Sequence, residues 1–512
     1  MLVNKLFEET VNRIPDKTAL IFQDRRFTYK QINEEANMLA HALIDAGLQK
    51  GDRVVIFLDN CHEAIIAIYG VLKAGGIFST LSATLKADKL KNIINSLETS
   101  FVISEWKKYK ILSGVVDNVD LLKPVIICAD VKSKPEYNKE KFIEWHEFID
   151  PQKKTNPEIS RIDLDLANII FTSGSTGTPY GVMMTHRNIV SASLSIIKYL
   201  NNTQDDIILN VLPISFDYGL YQIIMTFIFG GTIVLEKSFS YPYVIIDKII
   251  KERVTGFPAV PTIFAILLTL KDLKKKDFQH LRYLTNTGAA LPVNHIKKLR
   301  EIFPYVQIYS MYGLTECKRV SFLPPEEIDK RPLSVGKGMP NEEVFIVDEN
   351  GQRVNNGVVG ELVVRGSNVM KGYWKLPEET DRVLKPGLYP NERVLYTGDL
   401  FKMDEEGYLY FVARKDDLIK TRGERVSPKE VEDVLNNING VHEAAVIGVA
   451  DEILGSAIKA FIVSNNDYNL TEKDIIKACS NNLESFMVPK YVEFISSFRK
   501  KDSGKIDKME LK

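Results

Sequence analysis

Short apolar runs alternate with amphipathic stretches along most of this chain. Val54–Leu58 is typical of a buried strand, His62–Ala74 has the spacing of an amphipathic helix, and Ile77-Phe78 begins another strand. Three further apolar runs of strand length occur at Val125–Cys128, Ile207–Leu212 and Thr232–Leu235. Strands that alternate with helices in this way predict βα units and largely parallel sheets covered by helices.

The pattern changes near Val344. From there, short strand-like runs are separated by turn residues, which predicts a β-rich subdomain. After Arg414 a compact α+β segment follows, in which Ser427 is placed to cap a helix and Pro428 fits its first turn. We therefore predict an α/β fold with a large N-terminal part, a β-rich subdomain and a small α+β C-terminal part, with the boundary at residues 414–416.

The length, composition and net charge of the chain indicate the number of cores and the kinds of partner to expect. With 512 residues, the chain is longer than a single core usually holds. Its composition, 45% hydrophobic and 26% charged, is that of an ordinary soluble protein. Because the net charge is −1, no overall basic field favours nucleic acid or anionic lipid, and we expect no nucleic-acid partner.

Cysteine usage and apolar stretches indicate the compartment. Four cysteines occur without a CxxC pair and seven histidines are scattered, which argues against a disulfide framework or a zinc site. The N-terminus lacks the apolar core of a signal peptide. The most apolar stretch, Ile223–Leu235, is broken by Gly230-Gly231 and is too short to span a bilayer. We expect a cytoplasmic protein with no integral membrane segment.

The strongest chemical signal is a loop of small residues. The apolar run Leu166–Ile170 leads into Phe171–Pro179, which contains five hydroxyl residues and two glycines. Glycine lets backbone N–H groups turn toward a phosphate, and hydroxyls add donors without bulk. No Gly-Lys-Ser/Thr follows at the required spacing, so this is not a Walker A loop. Because such a run is by itself more often a plain loop, its interpretation depends on what lies downstream.

The residue order in Thr172–Pro179 resembles the phosphate loop of the adenylate-forming (AMP-binding) superfamily, which contains acyl-CoA synthetases, amino-acid adenylation domains and luciferases. Four more segments resemble that family's motifs in the same order, namely Tyr312–Glu316, Tyr396–Leu400, Arg414–Lys420 with Gly423, and Ser503–Ile506. One such match could arise by chance. Five in the family's order are hard to explain otherwise.

The resemblance implies an AMP-forming acid–thiol ligase. Such an enzyme uses ATP and Mg²⁺ to join a carboxylic acid to AMP, releases pyrophosphate, and then transfers the acyl group to coenzyme A. Because a carboxylate has no good leaving group, catalysis depends on positioning and on stabilising charge around phosphorus. The resemblance makes Lys505 the catalytic cation, places Thr315 near the α-phosphate, and assigns Mg²⁺ to Glu316.

The family's nucleotide site can be carried over residue by residue. The resemblance implies that the loop binds the phosphates, that adenine lies between Tyr312 and a short wall, and that Asp399 and Arg414 hold the ribose. The loop residues are Thr172, Ser173, Gly174, Ser175, Thr176 and Gly177, and the wall residues are Gly288, Ala289 and Ala290.

The resemblance also implies a mobile C-terminal domain. Asp416 corresponds to its hinge, and Gly423 and Arg425 lie where the family meets the incoming thiol. Lys505 would enter the site for adenylation and leave it for thiol transfer, although a lysine among several others is ordinarily solvated surface. The expected domains are residues 1–413 and 417–512, joined by the hinge 414–416.

Two positions depart from the family's pattern. Tyr180 stands where a phosphate-binding lysine is usual, and its hydroxyl can donate a hydrogen bond but carries no charge. Arg499–Lys501 replaces the usual Pro-Lys-Thr before the C-terminal lysine motif. A degenerate member that binds nucleotide without catalysis is therefore an alternative.

The acyl pocket leaves two interpretations open. Phe216, Asp217 and Gly288 are the expected substrate contacts. The Phe-Asp pair resembles amino-acid adenylation domains, in which the aspartate pairs with the substrate's α-ammonium, and a buried carboxylate needs a partner. Alternatively, protein groups satisfy Asp217 and the substrate is a plain carboxylic acid. A second hypothesis, supported mainly by Asp217, transfers an acyl or aminoacyl group to the phosphopantetheine of a separate carrier protein.

Overall fold

The structure of the chain is a computed structural model. It describes residues 1–119, 123–128, 135–173, 179–273, 276–415, 417–421, 424–451, 455–464, 470–501 and 504–511. Within these ranges, the side chains of Ser173, Lys420, Glu424, Arg425 and Met509 lie outside the description.

The described residues form α-helices and β-strands that alternate through most of the chain. The helices are α1 (Val3–Arg13), α2 (Tyr29–Asp45), α3 (His62–Ala74), α4 (Ala87–Leu97), α5 (Tyr109–Val116), α6 (Trp145–Ile149), α7 (His186–Leu200), α8 (Asp217–Phe229), α9 (Pro242–Lys251), α10 (Pro261–Thr269), α11 (Val293–Ile302), α12 (Pro377–Val383), α13 (Pro428–Asn436) and α14 (Glu472–Asn482). The strands are β1 (Thr18–Phe22), β2 (Arg25–Thr28), β3 (Arg53–Phe57), β4 (Ile77–Thr80), β5 (Thr99–Glu105), β6 (Val125–Cys128), β7 (Phe142–Glu144), β8 (Leu166–Ser173), β9 (Pro179–Thr185), β10 (Ile207–Asn210), β11 (Thr232–Leu235), β12 (Gly256–Ala259), β13 (Tyr283–Asn286), β14 (Gln307–Tyr312), β15 (Ser321–Phe322), β16 (Lys337–Gly338), β17 (Glu342–Val347), β18 (Gly360–Gly366), β19 (Gly372–Tyr373), β20 (Leu384–Pro386), β21 (Arg393–Met403), β22 (Leu409–Arg414), β23 (Ile419–Thr421), β24 (Glu424–Val426), β25 (Val441–Asp451), β26 (Gly455–Ser464) and β27 (Tyr491–Phe494).

Two large sheets form the centre of the molecule. One has the strand order β19-β9-β8-β4-β3-β5-β6-β7, and the other has the order β16-β15-β14-β13-β12-β10-β11-β1-β2. Neighbours from β8 to β7 in the first sheet, and from β14 to β1 in the second, run parallel. The predicted α/β fold with parallel-rich sheets is confirmed.

Two local predictions can be compared with the structure directly. Helix α3 has the predicted bounds. The strand predicted at Ile207–Leu212 ends earlier, at Asn210, because the Asn210 side chain accepts a hydrogen bond from the Leu212 N–H at 3.1 Å and turns the chain.

The rest of the chain is richer in strands. A third sheet has the order β17-β18-β21-β20, with β22 on β21, and the C-terminal segment contains β23-β24 and the sheet β25-β26-β27. Ser427 caps α13 as predicted, since its hydroxyl accepts the Glu430 N–H at 3.4 Å. The segment has its own apolar clusters, built around residues such as Val446 and Phe461.

Four neighbouring parallel strands bring the predicted site residues together at one end of the sheet, which we call the cleft. Strand β10 is followed by α8, β12 by α10, β13 by the segment Thr287–Ala290, and β14 by the segment Gly313–Glu316. These connections all leave the carboxyl ends of their strands, where ligand sites of parallel sheets usually lie. The predicted site residues Asp217, Gly288 and Glu316 therefore converge at one edge of the sheet.

Candidate active site

Three residues at the positions predicted to bind nucleotide, Tyr312, Asp399 and Arg414, form a hydrogen-bonded group, which we call the nucleotide trio. Tyr312 Oη donates to Asp399 Oδ2 at 2.5 Å, and Arg414 Nε donates to Asp399 Oδ1 at 3.2 Å. Asp399 is 4% exposed, and burial raises its pKa, although the contacts with Arg414 and Tyr312 oppose that rise. A carboxylate oxygen has two lone pairs, so each keeps capacity for a ligand hydroxyl.

The predicted phosphate loop is described only at its edges. Strands β8 and β9 form an antiparallel hairpin in which Thr172 pairs with Tyr180, and both residues are half-buried. Ser173 is described only as the last backbone position of β8. The remaining predicted loop residues, Gly174, Ser175, Thr176 and Gly177, lie outside the described residues.

A tyrosine that sequence reasoning missed holds Glu316. Tyr373 Oη donates to Glu316 Oε1 at 2.9 Å, and the Tyr373 ring centre lies 5.1 Å from that of Tyr180. Burial raises the pKa of the Glu316 carboxyl, whereas the Tyr373 hydrogen bond opposes that rise. Tyr180, at the family's lysine position, therefore contacts the residue that orients Glu316.

The surroundings of Glu316 fit a cation that is shared with a ligand. Among the described residues, no group of three or more His, Cys, Asp or Glu side chains could hold a metal ion. A Mg²⁺ at this position would take Glu316 as one oxygen ligand and nucleotide phosphates as others. That is the usual way in which proteins bind this cation.

Lys505 stands on a short hairpin. The Lys501 N–H donates to the Lys505 carbonyl and the Gly504 N–H donates to the Lys501 carbonyl, both at 2.8 Å. Gly504 has φ +77°, in the left-handed region that glycine adopts without strain. A Cβ at position 504 would come within 2.9 Å of Val260 Cγ2, so the hairpin lies directly against the start of α10.

The Lys505 side chain lies between the nucleotide trio and the acyl side of the cleft. Its Cε is 3.6 Å from the position that a Cβ would take on Gly288. Desolvation and the charge of Arg414 lower the pKa of the ammonium, whereas Asp217 and Asp399 act to raise it. Lys505 is nonetheless exposed to solvent.

The predicted adenine wall follows β13. Gly288 has φ +89°, and the Asn286 amide donates to the Ala289 carbonyl at 2.9 Å across the turn. Ala289 and Ala290 are exposed, so this edge of the cleft is open to a ligand. Thr315 is half-buried on the turn after β14.

Asp217 has a partner within the protein. Lys318 Nζ lies 3.6 Å from Asp217 Oδ2, and the two side chains are only 2% and 9% exposed, respectively. Phe216 precedes Asp217 as the N-cap of α8, so the carboxylate lies at a helix N-terminus, which favours negative charge. Burial lowers the pKa of Lys318 to about 7, and Asp217 opposes that shift. This contact supports the interpretation in which the protein satisfies Asp217.

Arg319, next to Lys318, is a second buried cation and is 2% exposed. Its Nη1 donates to Thr287 Oγ1 at 2.6 Å, and its guanidinium lies 5.3 Å from the centre of the Tyr218 ring. Sequence reasoning missed both cations. The available signal was a pair of basic residues that follows the Tyr312–Glu316 motif after one intervening cysteine.

The predicted hinge and thiol-path residues fall largely outside the described part of the chain. Asp416 and Gly423 lie outside it altogether. Arg425 is described as a backbone position of β24, opposite Lys420 in β23.

Two further findings concern membrane segments and cysteines. No helix within the described residues is long and apolar enough to cross a membrane. All four cysteines are free, and three of them are buried.

Comparison with known sequences identifies the family. Residues 7–374 match the family described as AMP-binding enzyme, and residues 430–505 match the AMP-binding enzyme C-terminal domain. The chain is 31% identical to the long-chain-fatty-acid–CoA ligase of Bacillus subtilis (strain 168), over 98% of this chain and 93% of that protein.

Solved structures agree with this result. ATP-bound MatB from Rhodopseudomonas palustris has a TM-score of 0.89 at 27% identity, covering 100% of this chain and 98% of that one. The anthranilate CoA ligase AuaEII in complex with anthranoyl-AMP has a TM-score of 0.90 at 25% identity, covering 100% and 96%. The resemblance found in the sequence motifs is confirmed. The chain belongs to the AMP-binding enzyme family of adenylate-forming ligases.

Proposed function

We propose that this protein is an AMP-forming acid–thiol ligase that transfers an acyl group from its adenylate to coenzyme A. The observation that carries the proposal is the position of Lys505, between the nucleotide trio and the acyl side at Asp217 and Gly288. A cation there can serve both the phosphate and the carboxylate that must react. The full-length similarity to proteins named as CoA ligases supports the same reaction class.

In the first half-reaction, a carboxylate oxygen of the acid attacks the α-phosphorus of ATP. An O–P bond forms while the bond to pyrophosphate breaks, and pyrophosphate leaves with the electron pair. Lys505 would lie between the incoming carboxylate and the phosphate oxygens, where its charge reduces their repulsion and stabilises the transition state. Asp399 would accept the ribose hydroxyls, and the Tyr312 ring would face adenine opposite the wall at Gly288–Ala290.

Glu316 is the residue that would hold Mg²⁺ on the phosphates, with Thr315 beside the α-phosphate. The cation supplies positive charge at the phosphate oxygens when bound. Tyr373 donates to one oxygen of Glu316 and so fixes the direction of the carboxylate. We assign the β- and γ-phosphates to the loop at residues 172–177.

In the second half-reaction, the thiol sulfur of coenzyme A attacks the acyl carbon. A C–S bond forms, the C–O bond to AMP breaks, AMP leaves with that electron pair, and the thiol proton passes to solvent. Because Lys505 would lie at the reacting carbonyl group during adenylation, we propose that it withdraws before the thiol enters. We propose that residues 417–512 rotate relative to residues 1–413 about the hinge at 414–416, which brings Gly423 and Arg425 to the thiol path.

The proposed partners are a carboxylic acid, ATP and coenzyme A. We place the reaction in the reducing cytoplasm, which the four free cysteines support. A carrier protein as acceptor now has less support, because that hypothesis depended mainly on Asp217 and Lys318 already pairs with Asp217. Coenzyme A and a holo-carrier protein can be compared as acceptors in one experiment.

Acid-dependent pyrophosphate release tests the first half-reaction. The protein is incubated with ATP, Mg²⁺ and a panel of fatty, aromatic, dicarboxylic and amino acids, and release is expected with at least one acid. Coenzyme A should then convert the adenylate to acyl-CoA. Transfer to a holo-carrier protein alone would overturn the assignment of coenzyme A. Tight ATP binding with no acid-dependent pyrophosphate release would instead identify a degenerate member of the family. Tyr180 at the usual lysine position is the reason for that alternative hypothesis.

A further inference from the structure

The acyl side of the cleft contains a buried charged group of residues, which we call the acyl cluster. It consists of Asp217, Tyr218, Tyr221, Lys318 and Arg319, all of which are buried. Lys318 Nζ lies 3.6 Å from Asp217 Oδ2 and 4.5 Å from the centre of the Tyr221 ring. The cluster is therefore polar and charged at the place where the acyl group must lie.

The acyl cluster contains two basic side chains and one carboxylate. Lys318 and Arg319 are the basic residues, and Asp217 is the single carboxylate among the five residues. Glu342 also acts electrostatically on Arg319, but burial raises the pKa of its carboxyl well above the usual range and favours the neutral form. A ligand carboxylate would give the two basic groups a second anionic partner and would favour the charged form of Lys318.

Two polar atoms of the cluster lack a hydrogen-bond partner within the described part of the chain. They are Arg319 Nε and Tyr221 Oη. A buried donor without an acceptor destabilises the protein, because it has lost its hydrogen bonds to water. An apolar acyl chain would leave these groups unpaired, whereas a ligand with acceptor oxygens would supply what they lack.

The backbone at Lys318 is held in an unusual conformation. Its φ of 68° lies in the left-handed region, which is uncommon for a residue with a side chain. The turn that carries it is tight, since a Cβ on Gly313 would lie 2.5 Å from the Lys318 carbonyl oxygen. Such strain persists where the surrounding structure determines it and is concentrated at functional sites.

We propose that the acid activated by this protein is a short dicarboxylic acid, an inference that rests on the proposed function. One carboxylate reacts beside Lys505 and the other is bound by Lys318, with Arg319 adding positive charge behind it. Lys505 Cε lies 3.6 Å from the Cβ position of Gly288, and Arg319 Nη1 donates to the adjacent Thr287 at 2.6 Å, so the two ends of a short acid can reach both basic groups. Lys318 is thereby the residue that determines specificity.

Matched acids test the proposal. ATP–pyrophosphate exchange is measured with malonic, succinic and glutaric acids and with the half-amide of each, which keeps the length but removes the second charge. For at least one pair, kcat/KM should be at least about tenfold higher with the diacid, because a site built for a polar group rejects an analogue that lacks it. Preference for a long-chain fatty acid or for a monocarboxylic α-amino acid would overturn the inference and leave the ligase assignment intact.

Two lysine variants test whether Lys318 is the residue that distinguishes the diacid from its half-amide. Lys318→Met keeps the side-chain length without the charge and should bring the diacid and its half-amide to within about twofold of each other. Lys297→Met, at an exposed position on α11, is the control and should keep the wild-type ratio. A wild-type ratio in Lys318→Met would overturn the inference. If that variant does not fold, the double variant Asp217→Asn/Lys318→Met removes both charges and is measured in its place.

Binding separates failure of this inference from failure of the ligase assignment. The preferred diacid should raise the melting temperature of the wild type but not of Lys318→Met, since a ligand stabilises the state that binds it. A Lys318-dependent shift without exchange for any acid would uphold the diacid site and overturn the ligase. Neither a shift nor exchange with any acid would overturn both.

Discussion

Two buried lysine–carboxylate pairs in this molecule differ in how completely they are partnered. Between α1 and α3, Lys73 Nζ donates to Glu8 Oε1 at 2.7 Å and to Asn156 Oδ1 at 2.9 Å. Glu8 also accepts hydrogen bonds from two side chains of its own helix. At the cleft, Lys318 Nζ lies 3.6 Å from Asp217 Oδ2, and the centres of the Tyr218 and Tyr221 rings lie 5.4 and 4.5 Å from it.

The difference between the pairs lies in hydrogen bonding rather than in burial. The side chains are 1% and 8% exposed in the Lys73–Glu8 pair and 2% and 9% exposed in the Lys318–Asp217 pair. A buried charge with a full set of partners maintains a packed core, because removing one partner leaves the other uncompensated. A buried charge with an incomplete set retains the capacity to bind a ligand. The first pair should therefore control stability and the second should control substrate choice.

Breaking the complete pair should give the largest effect. Glu8→Leu leaves the Lys73 ammonium buried without a carboxylate and should lower the free energy of unfolding by about 3–5 kcal/mol. Lys5→Met removes a contact from a lysine that is 53% exposed, and it should cost less than about 1 kcal/mol. Urea unfolding measures both variants. Equal losses would show that the burial of Lys73 does not set the cost.

In contrast to Glu8→Leu, removal of the Lys505 side chain should reduce catalysis strongly and stability only slightly. Lys505→Ala should slow adenylation by about 100- to 1000-fold, as expected when one group that stabilises transition-state charge is lost. Thiol transfer from preformed acyl-adenylate should be largely spared. Lys501→Ala, on the same hairpin, is the control and should retain adenylation. An equal loss of both half-reactions would contradict the proposed domain rotation.

A smaller effect is expected from removing a single hydrogen bond at the cleft. Tyr373→Phe deletes the donor to Glu316 and should slow adenylation by roughly 10- to 100-fold, since a hydrogen bond to a charged group contributes about 1.5–3 kcal/mol. The concentration of Mg²⁺ that gives half-maximal rate should change as well. Tyr389→Phe, at a residue that is 62% exposed, should change neither. An unaltered rate and Mg²⁺ dependence in Tyr373→Phe would show that Glu316 is oriented without Tyr373.

The smallest change is expected at Tyr180. Tyr180→Lys adds a cation beside the phosphates and should raise the adenylation rate, but it also loses the ring contact with Tyr373, which contributes about 0.5–1.5 kcal/mol. The net gain should therefore be a few-fold. Tyr180→Phe keeps the ring but removes the hydroxyl, so it separates the effect of the hydroxyl on the rate from the effect of ring packing. No gain in Tyr180→Lys would mean that another group already supplies that charge.

Features with local causes could be predicted from the sequence. Helix α3 keeps its predicted bounds because its apolar spacing and the left-handed Gly75 that ends it are adjacent in the chain. The Ser427 cap depends in the same way on residues three positions apart. Tyr312, Asp399 and Arg414 could each be predicted as site residues because each lies in its own motif, and the structure shows that their side chains are in contact.

Contacts between distant segments could not be predicted in this way. The Tyr373–Glu316 hydrogen bond requires β19 to pair with β9, and no periodicity near either residue indicates that pairing. The Lys318–Asp217 contact likewise requires the ends of β14 and β10 to face one cleft. A basic residue after a motif is ordinarily a surface residue, and only the assembled fold shows that Lys318 is buried.

Because Gly504 fits closely against α10, the absence of a side chain at this position affects the equilibrium between the inserted and the withdrawn hairpin. A Cβ at that position would meet Val260 Cγ2 at 2.9 Å and Thr262 Oγ1 at 3.1 Å, and φ is +77°. A methyl group would therefore raise the free energy of the state in which the hairpin is inserted, without changing any charge. The orientation of the C-terminal segment is then a ratio of inserted and withdrawn populations, and that ratio can be shifted independently of the chemistry.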